Sequence, residues 1–86
     1  MVEGGEGMQL NEAVSKRLLE LLEEREMTPY QLFMKSGLPK SSISNIINCT
    51  YPSVKLRVIH EVCQGLGISI TEFFQSSLFQ EENLEP

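Results

Sequence analysis

Apolar residues recur along this chain at helical rather than strand spacing. Between Asn11 and Glu26 they fall at Val14, Leu18, Leu21 and Leu22 with charged residues between them, the stripe of one amphipathic helix. Asn11 is placed to cap its start. A second helix is predicted from Thr28, with Pro29 at its first position and Gln31 completing a capping box. It carries Leu32 and Phe33 and should stop at Gly37, a residue suited to the left-handed conformation that ends helices. A third runs from Pro39 or Lys40 to about Asn48. After the loop "CTYPS", broken by Pro52, Ser53 is placed to cap a fourth helix. Its inner stripe is Leu56, Ile59, Val62, Cys63 and Leu66, and Gly67 ends it. Ser69 with Glu72 opens a short fifth helix carrying Phe73 and Phe74. No segment alternates with period two over a strand's length, and there is no internal repeat. The pattern predicts an all-α domain of five helices.

The third helix has an unusual polar side. At ~100° per residue, Lys40, Ser44, Asn48, Ser41 and Asn45 fall within an arc of ~140°. Ile43, Ile46 and Ile47 fall opposite and form the buried face. A merely solvated helix gains more from strong helix formers such as Glu and Lys than from Ser and Asn. Short donors and acceptors can instead match base edges and phosphate oxygens in a major groove. The second and third helices are joined by only about four residues around Gly37, the arrangement of a helix-turn-helix.

Charge sharpens this picture. The chain has a formal net charge of −5, which taken alone argues against a polyanionic partner. Yet from Met27 to His60 there is no Asp or Glu, while Lys35, Lys40, Lys55 and Arg57 lie inside that window. The acids stand before it, from Glu3 to Glu26, and after it, from Glu61 to Glu85. Local field rather than net charge steers a polyanion.

The 86 residues suffice for one small domain, which buries only ~60% of its unfolded surface and leaves little room for a deep catalytic cleft. No apolar run is long enough for a membrane span or a signal peptide, so a cytoplasmic protein is expected. Cys49 and Cys63 are too few for a disulfide framework and are expected as reduced residues in or near the core. Together with His60 they lack the spacing and the fourth ligand of a zinc site. Neither a nucleophile motif nor a Gly-rich phosphate loop is present. No metal, cofactor, small-molecule ligand or enzymatic activity is expected.

From about Asn11 to Phe74 the chain resembles the phage-repressor helix-turn-helix domain, the Cro and lambda-repressor-like family of xenobiotic-response-element type. The resemblance rests on "MTPYQLFMKSGLPKSSISNIIN" and "LRVIHEVCQGLGISITEFF". It implies a five-helix lambda-repressor-like domain whose second helix lies across the DNA backbone while the third enters the major groove. Carried over, it makes Lys40, Ser41 and Asn45 base readers, with Ser42 and Ser44 beside them. Thr28 and Tyr30, then Asn48, Thr50 and Tyr51, become phosphate contacts, with Lys55 a further one. The chain departs from the family pattern at Phe33, where a small residue is usual, and at Cys49, where Gly is usual. Pro39 replaces a capping Ser, and the loop before the fourth helix is one residue longer.

Residues 1–8 and 80–86 are expected as frayed tails, the second acidic, around a domain spanning 9–79. The expected function is sequence-specific DNA binding by a transcriptional regulator, repressor-like, as a homodimer on double-stranded DNA. The alternative is a protein-interaction or antitoxin-like module on the same fold. Phe73 and Ile70 are expected to close the core. Leu78 and Phe79 are expected to lie beyond it as an exposed pair that, with the fifth helix, forms the surface of a weak dimer tightened on DNA.

Overall fold

The computed structural model describes residues 7–85. Five α-helices follow in order: α1 (Leu10–Glu24), α2 (Pro29–Ser36), α3 (Lys40–Ile47), α4 (Leu56–Leu66) and α5 (Ile70–Phe74). Two 3-10 turns, Ser77–Phe79 and Glu81–Asn83, complete the described chain. The five-helix, all-α expectation holds.

The α2 start and end, the α4 end and the α5 start fall where expected. The Thr28 hydroxyl accepts the Gln31 N–H at 3.1 Å and the Gln31 amide oxygen accepts the Thr28 N–H at 2.8 Å. Gly37 ends α2 at φ +76, and nothing lies within 4 Å of where a Cβ would stand. The cost of a side chain there is conformational rather than steric. Gly67 ends α4 at φ +77, and the Ser69 hydroxyl caps α5 through the Glu72 N–H at 3.0 Å.

Other boundaries differ. Asn11 is not a cap: α1 begins after Gln9, whose N–H is bonded to the Glu12 carboxylate at 2.8 Å, and Asn11 is buried inside the first turn. Ser53 does not cap α4 either. Val54 is packed against the core, which keeps the chain extended through Lys55, and the helix starts only at Leu56. That start rotates Leu56 outward, leaving it 74% exposed rather than on the inner stripe.

Leu18, Leu21, Leu32, Ile43, Val62, Cys63 and Phe73 form the centre of a single core to which every α-helix contributes. Each large apolar side chain fully buried there contributes ~1.5–3 kcal/mol. α2 and α4 approach closely at Gly65. A Cβ at Gly65 would come within 2.9 Å of the Leu32 and Ser36 side chains and 3.1 Å of the Ser36 Cα. Only glycine lets the two backbones meet there.

The C-terminal segment also departs from expectation. Ile70 is 42% exposed and does not close the core, a part taken by Phe73. Leu78 and Phe79 are half-buried rather than free. The chain doubles back after α5, and the Phe79 ring lies 4.8 Å from Phe74 and 6.3 Å from Phe73, centroid to centroid, against the core. Aromatic edge contacts of this kind add to the gain from burial. Phe79 thus packs within its own chain, so the two are not the freely exposed pair expected, while Ile70 of α5 stays exposed.

Residues 80–85 are likewise not a loose tail. Met8 pairs with Leu84 in an isolated parallel bridge: the Met8 N–H donates to Asn83 at 3.0 Å and the Glu85 N–H donates to Met8 at 2.9 Å. Residues 1–6 and Pro86, the rest of the two expected tails, lie outside the described residues.

Candidate nucleic-acid interface

α3 is held from behind by its isoleucines. Ile43 and Ile46 are buried and Ile47 packs against the core, as the helical wheel requires. Two polar side chains of α1 secure its far end. The Ser15 hydroxyl donates to the Ile47 carbonyl at 2.7 Å, and the Asn11 amide donates to the Tyr51 carbonyl at 3.0 Å. Both satisfy carbonyls beyond the last intrahelical bond. They hold α3 and its following loop against α1, a role that helical periodicity could not assign. Their only sequence signal is a polar residue on an otherwise apolar face.

The outer face then stands clear. Lys40, Ser41, Ser44 and Asn48 are exposed along it, and Asn45 is half-buried at its edge. The Asn48 amide donates to the Ser44 hydroxyl at 3.1 Å, which joins two of these groups into one unit. Ser42 does not share this face. It turns toward a groove of about 470 Å³ between α3 and the 49–55 loop, lined also by Asn45, Tyr51, Val54 and Lys55. Of the five residues expected at base edges, four flank the open face and one lies round its side.

The expected phosphate contacts fall into two groups on either side of that face. Thr28 and Tyr30 are exposed at the start of α2. The Thr28 oxygen already accepts from Gln31, but its own proton remains available to donate. Thr50, Tyr51 and Lys55 are exposed across the groove beyond α3, on the far side from Thr28. Asn48 lies closer to the α2 side, in a second groove of about 360 Å³ that it lines with Pro29, Tyr30 and Lys40.

Two departures from the family pattern find a physical account. Cys49 adopts φ +53, the left-handed conformation natural to the glycine usual there. Its thiol sulfur lies 3.8 Å from the Asn11 carbonyl. Phe33 is half-buried, packs against the core and stands 5.8 Å from the Tyr30 ring, centroid to centroid. The large ring therefore fills the α2 side of the second groove rather than a helix-helix gap.

Charge follows the same division. No carboxylate lies in the Met27–His60 window that contains α2, α3 and the loop. Both cysteines are free, and burial, followed by the charge of Glu72, pushes the Cys63 thiol above its ordinary pKa. The protonated thiol is a poor nucleophile and a poor metal ligand. Among the described residues no three His, Cys, Asp or Glu side chains converge as a metal site would need, and no helix is long and apolar enough to cross a membrane.

Comparison with known proteins places the fold among helix-turn-helix proteins. The crystal structure of the restriction-modification controller protein C.Esp1396I is 27% identical with a TM-score of 0.70, over 77% of this chain and 84% of that one. The prophage Lp1 protein 11 is also 27% identical, with a TM-score of 0.76 over 86% of this chain and 97% of that one. A search of curated proteins returned no significant match. The model of the Cro/C1-type helix-turn-helix DNA-binding domain matches residues 17–76, which include both helices of the turn, the loop and α4. The chain belongs to the Cro/C1-type helix-turn-helix DNA-binding domain family.

Proposed function

We propose that this protein is a sequence-specific transcriptional regulator, repressor-like, that inserts α3 into the major groove of double-stranded DNA. The observation that carries this reading is the exposed face of Lys40, Ser41, Ser44, Asn45 and Asn48, which holds donors and acceptors but no carboxylate. Lys40 at the head of α3 can reach guanine O6 and N7, while Ser41, Ser44 and Asn45 suit mixed donor and acceptor edges. Ser42, from its place at the side, serves a base only at the margin of the site. Thr28, Tyr30, Asn48, Thr50, Tyr51 and Lys55 flank the face and hold the phosphates on either side. Such contacts fix register without reading sequence. The controller protein among the structural neighbours supports the regulatory reading.

Selection of bound sequences from random duplex DNA, followed by affinity measured across a salt series, tests the proposal. Enrichment of one motif, with affinity for mixed duplex falling steeply as salt rises, is the expected result. Binding that is indifferent to salt would contradict it.

One reading helix spans few base pairs, so a two-fold dimer on half-sites about one DNA turn apart is the proposed assembly. Among the exposed apolar side chains, Leu10 and Leu56 line one shallow groove together with Phe74. They are the proposed dimer surface. Sedimentation of the intact chain and of a Leu10→Ser, Leu56→Ser variant separates the cases: a dimer lost in the variant supports this surface, and identical behaviour removes it.

A further inference from the structure

Lys40 does not stand loose in solvent. Its ammonium lies 5.2 Å from the centroid of the Tyr30 ring and 5.5 Å from that of Phe33, within the distance at which an aromatic face attracts a cation. The two rings are themselves placed: Phe33 packs against the core, and Tyr30 is tilted against it at 47°. We propose that Phe33, with Tyr30, is a positioning residue that pre-orients Lys40 for its base, and that it thereby sets specificity at that base pair. The inference rests on the reading of Lys40 as a base contact.

The choice of a ring rather than an acid is what makes the arrangement useful on DNA. A carboxylate could hold the ammonium as well, but it would cancel the charge that phosphate and guanine must meet. Among the described residues Lys40 has no ion-pair partner, and it makes no hydrogen bond through its side chain. The ring faces leave its three N–H donors open. A lysine side chain has many rotamers, and ordering it on contact costs binding free energy. Rings that restrict it beforehand lower that cost only where the ordered pose is used. Non-specific DNA, which needs a cation nearby but no single pose, gains nothing from the platform.

The test combines one spectroscopic and one binding measurement on the intact chain. In the free protein, the Lys40 ε-methylene protons should be shifted upfield by ring currents, and the shift should fall in Phe33→Leu to the part that Tyr30 supplies. A wild-type shift equal to that of the other lysines overturns the proposal without any variant. Phe33→Leu keeps apolar bulk and removes the ring, with Phe33→Met as a second variant should the first melt. Either should weaken binding to the selected site ~2–5-fold, the value of one surface cation–π contact, with mixed-sequence DNA unaffected. In a Lys40→Ala background the same change should cause no further selective loss. If Lys40→Ala weakens selected and mixed DNA equally, the base-contact reading fails and the platform with it. If Lys40→Ala is selective but Phe33→Leu adds its full effect on top, the platform alone is overturned.

Discussion

Positive charge is used in opposite ways on the two sides of this domain. On the α1 side, Arg17 donates to the Phe73 carbonyl at 2.7 Å and to the Glu72 carbonyl at 2.8 Å, and it pairs with Glu20 at 3.4 Å. Arg25 donates to the Leu66 carbonyl at 3.0 Å. Both guanidiniums cover the C-terminal ends of helices, where carbonyls are short of partners and the helix dipole favours a cation. In the acid-free window, Lys35, Lys40, Lys55 and Arg57 are exposed, and the contact that orders Lys40 is with aromatic rings. On the first side the two arginines hold the fold together, while Lys16 is exposed. The cations of the window remain available to a partner. Net charge cannot separate the two uses, which explains how an acidic chain belongs to a DNA-binding family.

Breaking each side should therefore break something different. The largest effect is expected on stability. Arg17→Met removes two charge-assisted hydrogen bonds and leaves the Phe73 carbonyl without its donor, while the Glu72 carbonyl keeps the Gln75 N–H, a loss of about 2–3 kcal/mol in denaturant melts. Binding per folded molecule should not change. A fall in DNA affinity at unchanged stability would put Arg17 on the other side of the comparison.

Lys40→Ala should do the reverse. It should cost ~1–3 kcal/mol on the preferred site and relax preference at one base pair, with melting little altered because the side chain is exposed. Equal weakening on selected and mixed DNA would reduce Lys40 to a phosphate contact.

The smallest of the three falls on the turn between the two sides. Gly37→Val should destabilise by at least ~1 kcal/mol through left-handed strain alone, since there is open space around the position. An unchanged melting temperature would remove turn geometry from the account.

How far these features could be read beforehand depended on how local their causes are. The α2 start at Thr28 and its end at Gly37, the Gly67 stop and the Ser69 cap are set by residues within one turn, and all four were legible. So was the division of α3 into an isoleucine face and a polar face, because an eight-residue helix offers few ways to place three isoleucines. What escaped was set by contacts distant in sequence. Ser53 has a cap's chemistry, but the packing of Val54 decides where α4 begins, and with it the outward turn of Leu56. Phe79 is superfluous to a five-helix core by local pattern, and only the turning back of the chain brings its ring onto Phe73 and Phe74. Ser15 and Asn11 bind carbonyls 32 and 40 residues away. The Lys40–Tyr30–Phe33 cluster joins two helices across the turn, and from the sequence Phe33 registered only as a departure from the family pattern.

We propose that the acid-free side of the domain meets DNA and the acidic side does not. Amide chemical-shift mapping during titration with a duplex carrying the selected site addresses it most directly. Shifts should concentrate at Thr28 and Tyr30, along Lys40–Asn48, and through Thr50–Lys55, while Glu20, Glu23 and Glu24 on the outer face of α1 stay in place. Perturbations centred on α1 and the 80–85 segment, with α3 unmoved, would contradict the account.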